Sequence, residues 1–161
     1  MDTELYDLAS IVGRFLLRGR LTLVTAESCT GGGVGQALTM VPGSSQWFEG
    51  GFLTYSNQSK VDFLGVKKAT IEAHGAVSEE VVSEMALGAL QKSKADLSIA
   101  VSGIAGPEGG SPGKPVGTVW IAIGRSNGYL KAENLCFSGD RESIRRQSVS
   151  VLLGRLAKIL K

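Results

Sequence analysis

Ser28 stands in Thr25-Ala26-Glu27-Ser28-Cys29-Thr30-Gly31-Gly32-Gly33, where the apolar run Leu21 to Val24 gives way to small polar residues and three glycines. A strand that meets a helix through such a tight turn exposes one hydroxyl or thiol at the top of a sheet and leaves backbone N–H groups free beside it. That suits a nucleophile with an adjoining oxyanion site, supplied by backbone N–H groups at about Thr30, Gly31 and Gly32. It also suits a plain reversal of the chain.

A second polar cluster, Thr54-Tyr55-Ser56-Asn57-Gln58-Ser59-Lys60, falls where another strand passes into a helix. Lys60 lies in the first turn or two of that helix, the end where a cation is electrostatically disfavoured. Most such lysines are solvated. A desolvated one near a helix N-terminus has a lowered pKa, and its neutral amine can serve as a general base. The chain has one histidine, His74, so a Ser–Lys pair is the simplest hydrolytic apparatus its composition offers. His74 itself, in Glu72-Ala73-His74-Gly75, reads as a capping or packing residue at a helix end.

Residues 102–116 hold five glycines and three prolines. Glycine at that density lets backbone N–H groups approach a ligand closely, which makes Ser102, Gly103 and Gly106 candidate substrate contacts. The last cluster is Ser138-Gly139-Asp140-Arg141, followed by Arg145-Arg146-Gln147. Asp140 is placed to cap a helix, and Arg141 and Arg145, one turn apart, could clamp a phosphate. Two other phosphate motifs are absent. Gly113-Lys114 is followed by Pro115, not by Ser or Thr, and Gly31 and Gly33 are followed by Gln36 where a dinucleotide fingerprint needs glycine.

The elements that must carry these clusters follow from periodicity. Leu5, Leu8, Ala9, Val12, Phe15 and Leu16 predict an amphipathic helix from about Thr3 to Arg18, ended by Gly19. Strands are predicted at 21–26, 48–55, 97–101, 119–123 and 130–137, the last two joined by a hairpin at 125–128. Helices are predicted at 32–40, 57–64, 68–73, 79–93 and 140–159, with Ser78 as an N-cap. Early alternation of strand and helix with a late hairpin points to one three-layer α/β/α domain over residues 1–161, built on a mixed, mostly parallel sheet. In such sheets ligands gather at the carboxyl ends of strands, where the glycine-rich turn and the 102–116 loop could meet.

A net charge of +2 is too small to imply a nucleic-acid or membrane partner. The two cysteines, Cys29 and Cys136, make no disulfide framework. The acidic N-terminal residues Asp2, Glu4 and Asp7 lack the pattern of a signal peptide, and no run approaches the ~20 apolar residues of a membrane span. A reduced, cytoplasmic protein is expected.

Taken together, AESCTGG, TYSNQSK, HGAVSEEVV, SGIAGPEGG, KPVGTVW and FSGDR…RRQ resemble the C-terminal domain family of the competence/damage-inducible protein CinA. The resemblance runs from about Glu4 to Leu156. It implies deamidation of nicotinamide mononucleotide to nicotinate mononucleotide and ammonia, with Ser28 as nucleophile, Lys60 as its lysine partner and Tyr55 nearby to relay a proton. It implies a small mononucleotide as the bound partner; the chemistry needs no metal or organic cofactor, and the small domain with its apolar strands points to an assembly of two or more copies. The metal-dependent nucleotide-hydrolase domain of the larger relatives is not expected in this chain. Two other readings compete: a cysteine hydrolase built on Cys29, and a non-catalytic nucleotide-binding module linked to competence or the DNA damage response.

Overall fold

The computed structural model describes all residues from Met1 to Lys161. Five strands form one sheet: β1 (Leu23–Glu27), β2 (Phe48–Leu53), β3 (Leu97–Gly103), β4 (Thr118–Arg125) and β5 (Leu130–Cys136). Their spatial order is β2-β1-β3-β4-β5. β1 pairs in parallel with both β2 and β3, while β3–β4 and β4–β5 are antiparallel. The sheet is thus parallel where β1 sits and turns antiparallel along the late hairpin, as expected for a mixed α/β fold.

Six helices cover the sheet: α1 (Thr3–Gly19), α2 (Gly33–Thr39), α3 (Asn57–Leu64), α4 (Lys68–His74), α5 (Glu79–Lys92) and α6 (Arg141–Leu160). Side chains alternate across the strands and so feed two cores. Leu23, Leu97, Ile99 and Val101 point to the face covered by α1, α2 and α6, where they meet Val12, Leu16, Val34, Leu38, Leu152 and Leu156. Val24, Ala26, Ala100 and Ala122 point to the other face, against Val81, Val82, Met85 and Ala89 of α5 and Leu64 of α3.

The helix ends follow capping chemistry. Side chains of Asp2, Ser56, Ser78 and Asp140 accept N–H bonds at the starts of α1, α3, α5 and α6. Gly19 is the final residue of α1, one later than expected, because Arg20 takes the left-handed cap and returns its N–H to Leu16 and Leu17. Arg146 of α6 pairs with Asp2 and Glu4 at the start of α1, which ties the two helices together.

Two boundaries matter for the site. β2 stops at Leu53, so Thr54 and Tyr55 belong to the connection into α3; β3 runs on through Ser102 and Gly103, residues expected in the loop. The helices that follow β1 and β2 leave for opposite faces: α2 joins the core under α1 and α6, and α3 joins the core under α5. β1 and β2 are neighbours, so their diverging connections open a crevice at the carboxyl ends of the strands.

Candidate active site

Ser28 is the first residue beyond β1 and sits in that crevice. Its N–H donates to the Val101 carbonyl of β3, so the residue that follows β1 is also held to the neighbouring strand. Ser56 caps α3 and sets the rotation of its first turn. That rotation buries Lys60, which is 0% exposed, under the connection from β2. Lys60 Nζ lies 2.9 Å from Ser28 Oγ, 2.8 Å from the Thr54 carbonyl oxygen and 3.1 Å from that of Tyr55.

No ion pair of the protein involves Lys60. Burial without a counter-charge pushes its pKa down from 10.5 to about 8. The arrangement is therefore a hydroxyl beside an amine able to shed its proton near neutrality. Two carbonyls accept from the amine, which leaves its third direction facing Ser28 Oγ.

The adjacent Cys29 is buried, and its thiol is pushed up to about 11, mainly by that burial. Such a thiol carries almost no thiolate at neutral pH. Gly103 packs against its sulfur: a Cβ at Gly103 would lie 3.2 Å from Cys29 Sγ and 2.6 Å from Val119.

A cleft of about 260 Å³ opens over the pair; its lining includes Ser28, Cys29, Lys60, Tyr55, Arg141, Ser102, Gly103 and Gly106, together with Asn57, Glu108 and Val77. Arg141 Nη1 donates to the Gly106 carbonyl at 2.8 Å, and Nη2 reaches the Tyr55 hydroxyl at 3.0 Å. The phenol of Tyr55 is thus held at the mouth, away from the Ser–Lys pair. Only its backbone carbonyl touches Lys60, which corrects the expectation of a tyrosine relay. Ser102 is brought to the cleft, but its hydroxyl donates to the Ala76 carbonyl and so fixes the α4–α5 connection.

The turn after Ser28 also differs in detail. Gly31 and Gly32 have φ of 60° and 96°, the left-handed region that a side chain disfavours. The Gly31 N–H is already committed to the Ser28 carbonyl, and the Gly33 N–H to that of Thr30. The N–H groups of Cys29, Thr30 and Gly32 donate to no protein acceptor. The Thr30 hydroxyl faces the buried Glu27 carboxylate, which also accepts from the N–H groups of Val34 and Gly35 at 2.9 and 3.0 Å. Glu27 therefore fills the N-terminus of α2, the place an anionic ligand would otherwise use.

Arg145 is not in the cleft. Its guanidinium donates to the Cys29 and Thr30 carbonyls from behind the turn. Of the two arginines one turn apart, the cleft holds Arg141 alone. His74 ends α4 outside the cleft, with its carbonyl accepting from Lys114 Nζ at 2.6 Å.

Asn57, Glu108 and Val77, which line the cleft, and Glu27, which holds the turn beside it, were not singled out in the sequence reading. Glu27 carried a usable signal, an acid just before a helix N-terminus; Val77 carried none, since only the tertiary fold brings its connection to the crevice. No cluster of His, Cys, Asp or Glu is arranged to hold a metal ion, and no helix is long and apolar enough to cross a membrane.

Comparison with known proteins agrees with this architecture. The family model of the CinA C-terminal domain matches residues 5–160. The chain belongs to the CinA C-terminal domain family. It is 51% identical over 155 residues to nicotinamide-nucleotide amidohydrolase PncC of Escherichia coli strain K12, covering 96% of this chain and 94% of that protein. The PncC of Pseudomonas putida is 51% identical over 152 residues, 94% of each chain. The crystal structure of competence/damage inducible protein CihA from Agrobacterium tumefaciens superposes with a TM-score of 0.93 at 41% identity, covering 98% of this chain and 96% of that one.

Proposed function

We propose that this protein is an amidase that hydrolyses the carboxamide of nicotinamide mononucleotide to nicotinate mononucleotide and ammonia through a seryl ester. The observation that carries the reading is the 2.9 Å approach of a fully buried amine, its pKa lowered to about 8, to a serine hydroxyl at the floor of a cleft. Nearly full-length similarity to proteins named nicotinamide-nucleotide amidohydrolase supplies the substrate class.

In this mechanism neutral Lys60 takes the proton of Ser28 as Oγ attacks the amide carbon. The N–H groups of Cys29 and Thr30, which have no protein acceptor, receive the developing oxyanion. The tetrahedral adduct collapses with cleavage of the C–N bond. The proton held by Lys60 passes to the departing nitrogen, which leaves as ammonia. Water then adds to the ester with Lys60 again as base, and collapse returns the Ser28 hydroxyl and releases the acid. Arg141, at the mouth of the cleft, is the cation available to the 5′-phosphate. A cysteine nucleophile is disfavoured by the thiol at about 11.

The test is ammonia release from nicotinamide mononucleotide by purified protein, with nicotinate mononucleotide identified as co-product. Activity lost in both Ser28→Ala and Lys60→Met, with both variants folded, is the expected result. A folded wild-type protein that leaves the nucleotide intact overturns the substrate, and an active Ser28→Ala overturns the mechanism.

A further inference from the structure

Arg145 spends its charge in an unusual way. Its neighbour Arg146 pairs with two carboxylates, but Arg145 forms no ion pair. Its Nε donates to the Cys29 carbonyl at 3.1 Å and its Nη2 to the Thr30 carbonyl at 3.3 Å. A Cβ at Gly31 would lie 3.0 Å from Nη2, so a glycine there lets the guanidinium lie against the turn.

All three carbonyls of residues 28–30 are consequently held, Ser28 by the Gly31 N–H, Cys29 by Arg145, and Thr30 by the Gly33 N–H and Arg145. A trans peptide points its N–H opposite to its C=O. Holding the Cys29 carbonyl against Arg145 therefore turns the Thr30 N–H away from the guanidinium. That N–H has no protein acceptor. A cation on the carbonyl side also polarises the peptide and makes its N–H a better donor.

We infer that Arg145 is a positioning residue, which aims and polarises the Cys29–Thr30 peptide so that its N–H can meet the oxyanion formed at Ser28. This rests on the reading of Ser28 as the nucleophile. It assigns Arg145 to the transition state and withdraws it from the phosphate. Removing the guanidinium leaves the substrate contacts in place and lets the peptide rotate.

The experiment compares Arg145→Met and Arg145→Lys with the wild type by steady-state kinetics and by the rate at which a fluorophosphonate probe labels Ser28. A misaimed oxyanion donor is expected to lower kcat about 10- to 100-fold, with KM unchanged. The labelling rate should fall by a similar factor. Lysine, a shorter donor of the same charge, should restore part of the loss, and the pH limb set by Lys60 should stay where it is. A raised KM with intact kcat overturns the inference, because Arg145 would then be contacting substrate. So does a lowered melting temperature with kcat and labelling rate both preserved. A wild type that labels at Ser28 yet ignores the nucleotide retires the substrate reading alone, and the labelling ratio still decides Arg145.

Discussion

In the proposed mechanism, burying Lys60 makes stability and activity respond to the same proton. The amine titrates at about 8 in the folded protein against an ordinary value of 10.5. Below pH 8 it is protonated in both folded and unfolded chains, and the folded state carries the whole desolvation cost, about 3 kcal/mol for a shift of this size. Between pH 8 and 10.5 the unfolded chain binds the proton and the folded chain does not, so stability rises with pH through that window. Integrated from pH 7 to 10, this one group adds about 2.5 kcal/mol to the unfolding free energy. Urea denaturation of wild type and Lys60→Met at several pH values isolates it, because every other group titrates in both. The wild type should gain that increment over the variant between pH 7 and 10. Parallel pH profiles would refute the lowered pKa. In the proposed mechanism the same shift sets the rate. At pH 7 about one amine in ten is neutral, against roughly one in three thousand for an unperturbed lysine. The rate should therefore rise through a midpoint near pH 8 to a plateau above about pH 9, and Lys60→Arg, which stays protonated, should not recover it.

Cys29→Ala should keep most activity, because a thiol at about 11 supplies no thiolate at neutral pH; loss comparable to Ser28→Ala in an ammonia assay would move the nucleophile. Arg141→Ala should lower kcat/KM for nicotinamide mononucleotide by about 10- to 150-fold, the worth of one charged hydrogen bond, and leave the dephosphorylated riboside unaffected. Glu27→Gln should cost about 1.5–3 kcal/mol in denaturant unfolding, since the carboxylate accepts from the Thr30 hydroxyl and two N–H groups of α2.

The layers and the Ser–Lys pair were legible in sequence because both rest on local grammar. Short apolar runs marked the strands, Ser78 marked the start of α5, and the glycines after Ser28 marked a tight turn, which takes positive φ at Gly31 and Gly32. The placement of Lys60 four residues into α3 follows from one cap and the helical repeat. What the sequence withheld is direction. Arg141 and Arg145 share a helix face by spacing, yet one borders the cleft and the other grips the turn from behind. Their difference depends on where α6 crosses the β1–α2 turn, a tertiary relation with no local signature. Tyr55 shows the same limit, since its backbone carbonyl and not its phenol meets the amine.

The burial of Lys60 also favours the proposed catalyst over a silent binding module. A module that only holds a nucleotide has no use for a cation sealed beneath its floor, 0% exposed and without a counter-ion. An apolar side chain of similar length would fill the space at no charge-desolvation cost. Thr54 and Tyr55 would remain near the edge of the sheet, where their carbonyls could be met by other donors. The fold instead keeps the amine and aims it at the hydroxyl of the residue that follows β1. An electrostatic penalty of about 3 kcal/mol, localised beside Ser28 at the carboxyl end of β1, fits the proton-transfer role proposed for Lys60.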